Sequence, residues 1–272
     1  MISTVLSFAQ FINESIKHLS SNELFNWLKD REEMAFIALD TETTGLRGPN
    51  KEQLTQIAAV AYSFDFESLR FKELGTFNEK IKLNSETKSQ MKLPDSRIKQ
   101  VFNYTRYGVS GGKFIDEQEA LNSLVDFVES YGKSVLLVQN APFDMPMINV
   151  RKEFGGLNNE IFDTKDFYAY FLLPTLEALA DSGDEEARNM LTVIGRSASG
   201  KVPTASLPKV AKGFGIDANE AHDALFDCRY MVKVLEMALD IVQSNIEADR
   251  KEFIRPRIST DRYIKMKDKQ RR

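Results

Sequence analysis

The sequence predicts one α/β domain: a mixed sheet, an antiparallel three-strand meander plus parallel strands, flanked by helices in a three-layer arrangement. Three observations carry this. Phe36-Ile-Ala-Leu39 is a continuous apolar run ending in Asp40, the pattern of a strand covered on both faces. QIAAVAYSF (56–64) and the segment 71–83 follow as strand patterns with no helical stripe between them, which reads as a meander. A helical stripe and a second fully apolar strand, SVLLVQN (134–140), then follow, an order that places helices against the sheet.

Taken in order, the elements have local reasons. Ser20 and Glu23 form a Ser-x-x-Glu capping box opening a short helix, NELFNWLKDREE, in an N-terminal helical extension over 1–33. Residues 84–115 are polar, with Pro94 and Gly111-Gly112, and read as an irregular excursion with one short helix. Ala120, Leu121, Leu124, Val125 and Val128 make a helical stripe over 117–130, and a helix is expected to start after Asp144. Residues 181–205 read as an insertion, Gly/Ser-rich at its end, and Leu207 to Phe214 as a short helix. The longest helical pattern, 223–245, sets Ala224, Cys228, Met231, Leu235 and Ala238 on one face. A main domain over 34–248 and a basic C-terminal tail over 249–272 complete the expected organisation.

Composition narrows the function classes. The 272 residues are 42% hydrophobic and 28% charged, ordinary for a globular chain. A lone cysteine, Cys228, cannot pair within the chain, so a reducing, cytoplasmic setting is expected. The N-terminus has no basic leader before its short apolar stretch, a poor signal peptide, and no apolar run reaches the ~20 residues of a membrane span, so no membrane partner is expected. The net charge is −4, yet residues 249–272 hold ten Lys/Arg against four Asp/Glu, leaving −10 on residues 1–248. That distribution opposes broad nonspecific duplex binding but suits a body whose carboxylates hold cations, with the basic tail as a candidate arm for a polyanion or a protein partner.

Three segments carry candidate chemistry. Asp40 and Glu42 lie in Asp-Thr-Glu-Thr-Thr-Gly at a strand end; strand side chains alternate with period two, so both point the same way. Paired carboxylates repel, and a hard divalent cation removes that repulsion. Gly45 after the pair permits a tight turn and the close approach of a ligand. Asn140-Ala-Pro-Phe-Asp144 follows the second buried strand, where Asp144 is also suited to capping a helix. Ala221-His-Asp-Ala-Leu-Phe-Asp227 opens the long helix. In one helix, His222 and Asp227 would stand about 140° apart, so convergence puts His222 on the loop leading in, Asp223 at the cap and Asp227 in the first turns. His18, the other histidine, has no such surroundings.

Each segment alone is weak, but in this order they resemble the DEDD exonuclease superfamily, h subtype, the group of polymerase proofreading subunits, ribonuclease T and oligoribonuclease. The resemblance spans roughly 35–240 and extends to Asp163-Thr164 and to Ser206-Leu-Pro-Lys-Val-Ala-Lys-Gly-Phe-Gly-Ile216. Gln139 departs from it, standing where members often carry a histidine before the asparagine. The resemblance implies a ribonuclease H-like fold and a 3′–5′ exonuclease using two Mg²⁺ or Mn²⁺ ions, which all-oxygen ligation also favours. It assigns Asp40, Glu42 and Asp227 to the first metal, has Asp40 reach the second, and has Asp144 act partly through water. His222 becomes the general base, Thr43, Thr44 and Leu46 the contacts of the terminal nucleotide, and Asn140 and Phe143 further lining of that pocket. It implies 5′-mononucleotide products and single-stranded nucleic acid as partner, with DNA ahead of RNA. An oligoribonuclease-like enzyme and a module docked on a polymerase or other replication protein are the other readings.

Overall fold

The structure is a computed structural model and describes residues 16, 19–46, 48–84, 114–149, 156–195, 205–216 and 223–246. The tail 249–272, most of the 84–115 excursion, His18 and His222 lie outside these residues.

The apolar runs become the centre of a six-stranded mixed sheet of order β4-β3-β2-β1-β5-β6. β1 (Ala35–Thr43), β2 (Leu54–Asp65) and β3 (Arg70–Ile81) form the antiparallel meander, while β5 (Ser134–Val138) and β6 (Glu160–Asp163) extend it in parallel from β1. β4 (Phe114–Ile115), the end of the stretch expected to be irregular, instead pairs in parallel with Lys80 and Ile81 of β3.

Period-two alternation divides the core. Phe36, Ala38, Ala58, Val60, Val135 and Leu137 face one helical layer; Ile37, Leu39, Ile57, Ala59, Leu136 and Val138 face the other. The first layer holds α1 (Ser21–Lys29), α5 (Leu173–Asp181), α6 (Glu185–Ile194), α7 (Leu207–Gly213) and α8 (Ala224–Ile246); the second holds α2 (Glu117–Glu129) and α3 (Ala141–Asn149). Between β6 and α5, α4 (Thr164–Phe167) runs into a π-helical turn over Tyr168–Leu172.

Local signals place several boundaries. The Ser20/Glu23 capping box is formed as expected, and α1 buries Leu24, Phe25 and Leu28 in the core. Arg31, just beyond α1, donates from Nε and Nη2 to both oxygens of Glu160 at 2.7 Å and stacks on Trp27, tying the helix to β6.

Within the expected 181–205 insertion, residues 185–194 form a helix: Ala187 and Ile194 are buried, with Met190 and Leu191 packed beside them. Their three- and four-residue spacing is a helical face that the Gly/Ser-rich stretch after it obscures. α3 begins at Ala141 rather than after Asp144. The carboxylate of Asp163, at the end of β6, accepts from the backbone N–H groups of Asn140 (3.0 Å) and Ala141 (2.9 Å). That cap is supplied from a neighbouring strand, so no local pattern announces it.

The docking of α1 is testable. Leu24→Ala should lower the unfolding free energy in a denaturant titration by roughly 2–5 kcal/mol, as for other fully buried leucines, and Ser20→Ala by about 1 kcal/mol. A Leu24 variant within ~0.5 kcal/mol of wild type, the range of surface substitutions, would contradict the buried position.

Candidate active site

The site forms where β1 outlasts its parallel neighbour. Pairing with β5 stops at Leu39↔Val138, whereas pairing with β2 continues through Asp40↔Ala58 and Glu42↔Gln56 to Thr43. Asp40 and Glu42 therefore sit on a rigid strand beside a gap in the sheet. They occupy the face of Phe36 and Ala38, which is the face that α8 covers.

α8 supplies the third carboxylate. Asp223 caps the helix, accepting from the N–H groups of Leu225 (3.1 Å) and Phe226 (3.2 Å), and Asp227 follows in the first turn. One oxygen from each of Asp40, Glu42 and Asp227 lies within 4.8 Å of the others, all three residues being half-buried. Gln56 holds this junction in register. On β2 opposite Glu42, its Nε2 donates to Asp223 at 3.4 Å and to Asn78 at 2.9 Å, and its Oε1 accepts from Ala224 N–H at 3.3 Å.

Asp144 approaches from the other face. Its Oδ1 accepts a 2.6 Å hydrogen bond from Thr41 Oγ1, and Thr41, between the two carboxylates, points to the opposite side by strand alternation. Asp144 is buried and stands outside the three-oxygen group, as the fourth charge of the cluster.

Crowding these groups raises their affinity for protons. Burial, then the charges of Asp144, Asp227 and Glu42, hold the Asp40 carboxyl well above the carboxylate range. Burial and then Asp227 push Glu42 up to about 8. Asp144 rises to about 7 by burial, against the lowering effect of the Thr41 hydrogen bond. Hard oxygen donors with mutual repulsion fit a divalent cation, whose charge offsets both burial and repulsion.

The turn after β1 is built from its own threonines. Thr43 Oγ1 donates to Gly45 O at 2.8 Å, Thr44 Oγ1 donates to Glu52 at 2.7 Å, and Thr44 N–H bonds Gln53 O. Leu46 is 79% exposed at its tip. A Cβ at 45 would stand 2.8 Å from the buried Glu52 carboxylate, so a larger residue there would make that side chain shift.

At the end of β5, Asn140 takes φ +71° and Phe143 is half-buried on the first turn of α3. Gln139 accepts from Thr164 Oγ1 at 2.5 Å and donates to Ala205 O at 3.1 Å, binding β5 to α4 and to the segment before α7. The sequence reading missed Thr41 and Gln56, and noted Asp163 without a role. Alternation places Thr41, but nothing local marks Gln56 or Asp163 as hydrogen-bond partners of distant helix starts.

Comparison with known proteins gives this geometry a family. The chain is 25% identical over 203 residues to the PolC-type DNA polymerase III of Staphylococcus haemolyticus (strain JCSC1435), an alignment covering 73% of this chain and 11% of the polymerase. Among solved structures, E. coli exonuclease I in complex with a dA16 oligonucleotide is 16% identical with TM-score 0.49, covering 79% of this chain and 42% of the other. Cell-death related nuclease 4 is 14% identical with TM-score 0.42, covering 76% and 64%. The chain thus spans about a tenth of the polymerase and under half of exonuclease I. The RNase_T family, described as exonuclease, matches residues 37–235, from the second residue-pair of β1 into α8 and across all four acidic positions, and the chain belongs to this exonuclease family.

Proposed function

We propose that the chain is a 3′–5′ exonuclease that hydrolyses the terminal phosphodiester of single-stranded DNA and releases 5′-mononucleotides. The observation that carries this reading is the trio of Asp40, Glu42 and Asp227 oxygens within 4.8 Å of one another, at a gap in the sheet where a strand end can enter. Asp40, Glu42 and Asp227, with Asp144 behind Thr41, would hold two Mg²⁺ or Mn²⁺ ions. When bound, such ions neutralise charge at the phosphate and acidify an attacking water.

The remaining roles fall to the chain itself. His222 directly precedes the Asp223 cap in sequence, and an imidazole with a pKa of ~6.5 suits a general base near neutral pH; it takes the proton of the attacking water. Thr43 and Thr44 shape the turn, and exposed Leu46 packs against the terminal base. Asn140 and Phe143 line the opposite wall for the terminal nucleotide. The similarity to a segment of a PolC-type DNA polymerase III supports a second reading, a proofreading module acting with a polymerase, which co-purification with that polymerase would test.

Digestion of 5′-labelled single- and double-stranded DNA and RNA, with Mg²⁺ and with chelator, tests the activity. A ladder shortening from the 3′ end of single-stranded DNA is expected, and Asp40→Ala should remove it; full cleavage in chelator would overturn the reading. His222→Ala should lower kcat by roughly 10²–10⁴ while retaining cation binding by calorimetry, whereas near-normal turnover at neutral pH would return this histidine to the surface.

The raised carboxyls also predict a pH dependence of stability. Glu42 (about 8) and Asp144 (about 7) bind protons more tightly folded than unfolded. Metal-free protein should therefore lose stability as pH rises from ~5 through ~8, since the folded state holds more protons across that window. Melting temperatures in chelator should fall along this range, Glu42→Gln should flatten the fall, and added Mg²⁺ or Mn²⁺ should raise them most at the alkaline end. A melting temperature that rises with pH in chelator would contradict the assignment.

A further inference from the structure

A cavity of about 330 Å³ opens beside the carboxylates, with Asp40, Asp227, Asn140, Lys165, Leu207 and Tyr230 among its walls. Among the described residues Lys165 is the one lysine or arginine in that lining, and nothing in the proposed reaction uses it. Its backbone is anchored, its N–H bonding Asp163 Oδ1 at 2.9 Å, while its side chain is exposed. Although two acidic groups share the cavity, Nζ donates to the neutral amide oxygen of Asn140 at 2.8 Å. A lysine ammonium has three N–H donors, so this bond orients the head and leaves its charge to an anion.

We propose that Lys165, steadied by Asn140, contacts a backbone phosphate of the substrate strand, the linkage next to the scissile one on its 5′ side. This rests on the reading that the 3′ end lies at Asp40, Glu42 and Asp227. The terminal nucleotide has no phosphate beyond its own 3′ hydroxyl, so any further phosphate beside that cluster belongs to the chain leading away on the 5′ side. Residues 1–248 carry −10, which repels a polyanion. A cation placed in the cavity itself fixes the strand's register against that charge. Phosphate contacts of this kind set position without reading sequence, and lysine serves as their point charge.

The experiment compares the full chain with Lys165→Ala and Lys165→Arg. Binding of 5′-labelled single-stranded DNA is followed by anisotropy with Ca²⁺ in place of Mg²⁺ across a salt series, and steady-state cleavage is measured with Mg²⁺. Lys165→Ala should raise Kd and KM roughly tenfold, as for a lost hydrogen bond to a charged group, with kcat little changed. It should also flatten the logarithmic salt slope by ~0.7, one single-strand phosphate contact; Lys165→Arg should restore both. A strand with an uncharged methylphosphonate at the second linkage from the 3′ end should weaken wild type by the same factor and leave Lys165→Ala unaffected.

An unchanged salt slope, or losses that multiply when variant and neutral linkage are combined, would overturn the contact. So would a fall in kcat with an unchanged slope, which would make Lys165 only a support for Asn140. Wild-type protein that binds with this slope difference but releases no nucleotide would remove the exonuclease reading and leave the phosphate contact standing.

Discussion

Asp40 and Glu42 are held side by side because β1 keeps its antiparallel partner after losing its parallel one. The backbone of Asp40 to Thr43 stays paired to β2, so these side chains are fixed, while the pairing with β5 ends at Val138 and leaves a gap beside them. Were β5 longer, the gap would close; were β2 shorter, the carboxylates would sit on a loop and lose their common direction. The two apolar layers that clamp β1 up to Leu39 make this unequal pairing tolerable, since the strand is anchored before it reaches the charges.

Repulsion within the acidic group is met by polar ties to the scaffold. Thr41 donates to Asp144 across the strand, Gln56 ties β2 to the start of α8, and Asp163 caps α3 from the end of β6. Each joins two elements distant in sequence at the rim of the site, so the carboxylates arrive on rigid supports. Removing one partner would leave a buried polar group unsatisfied, which is more damaging than the bond's modest net contribution suggests.

The same rim brings both signs of charge together. Four carboxylates gather around β1 and the start of α8, while Lys165 lines the cavity it shares with Asp40 and Asp227 and rests on a neutral amide. An ion pair between Lys165 and the acidic group would have satisfied both and left neither for a ligand.

Asp40 and Glu42 as a pair, the caps at Ser20 and Asp223, the apolar face of α8 and the central strands all follow from period and composition, because neighbours in the chain decide them. The match of residues 37–235 to the exonuclease family agrees with what the order of the acidic motifs implied. The sequence determined no more than that where the deciding partner lies far along the chain. α3 starts at Ala141 because Asp163 caps it, 22 residues away; Asp144 turns to Thr41 because α3 covers that face of β1; a side chain at 45 would meet the Glu52 carboxylate that folds beneath it. That Lys165 rests on the Asn140 amide while Arg31 and Arg229 pair with Glu160 and Glu73 depended on which groups the packed elements brought within reach. Hydrogen bonds and ion pairs act over a few ångströms, so only the tertiary structure could choose among partners equally plausible in sequence.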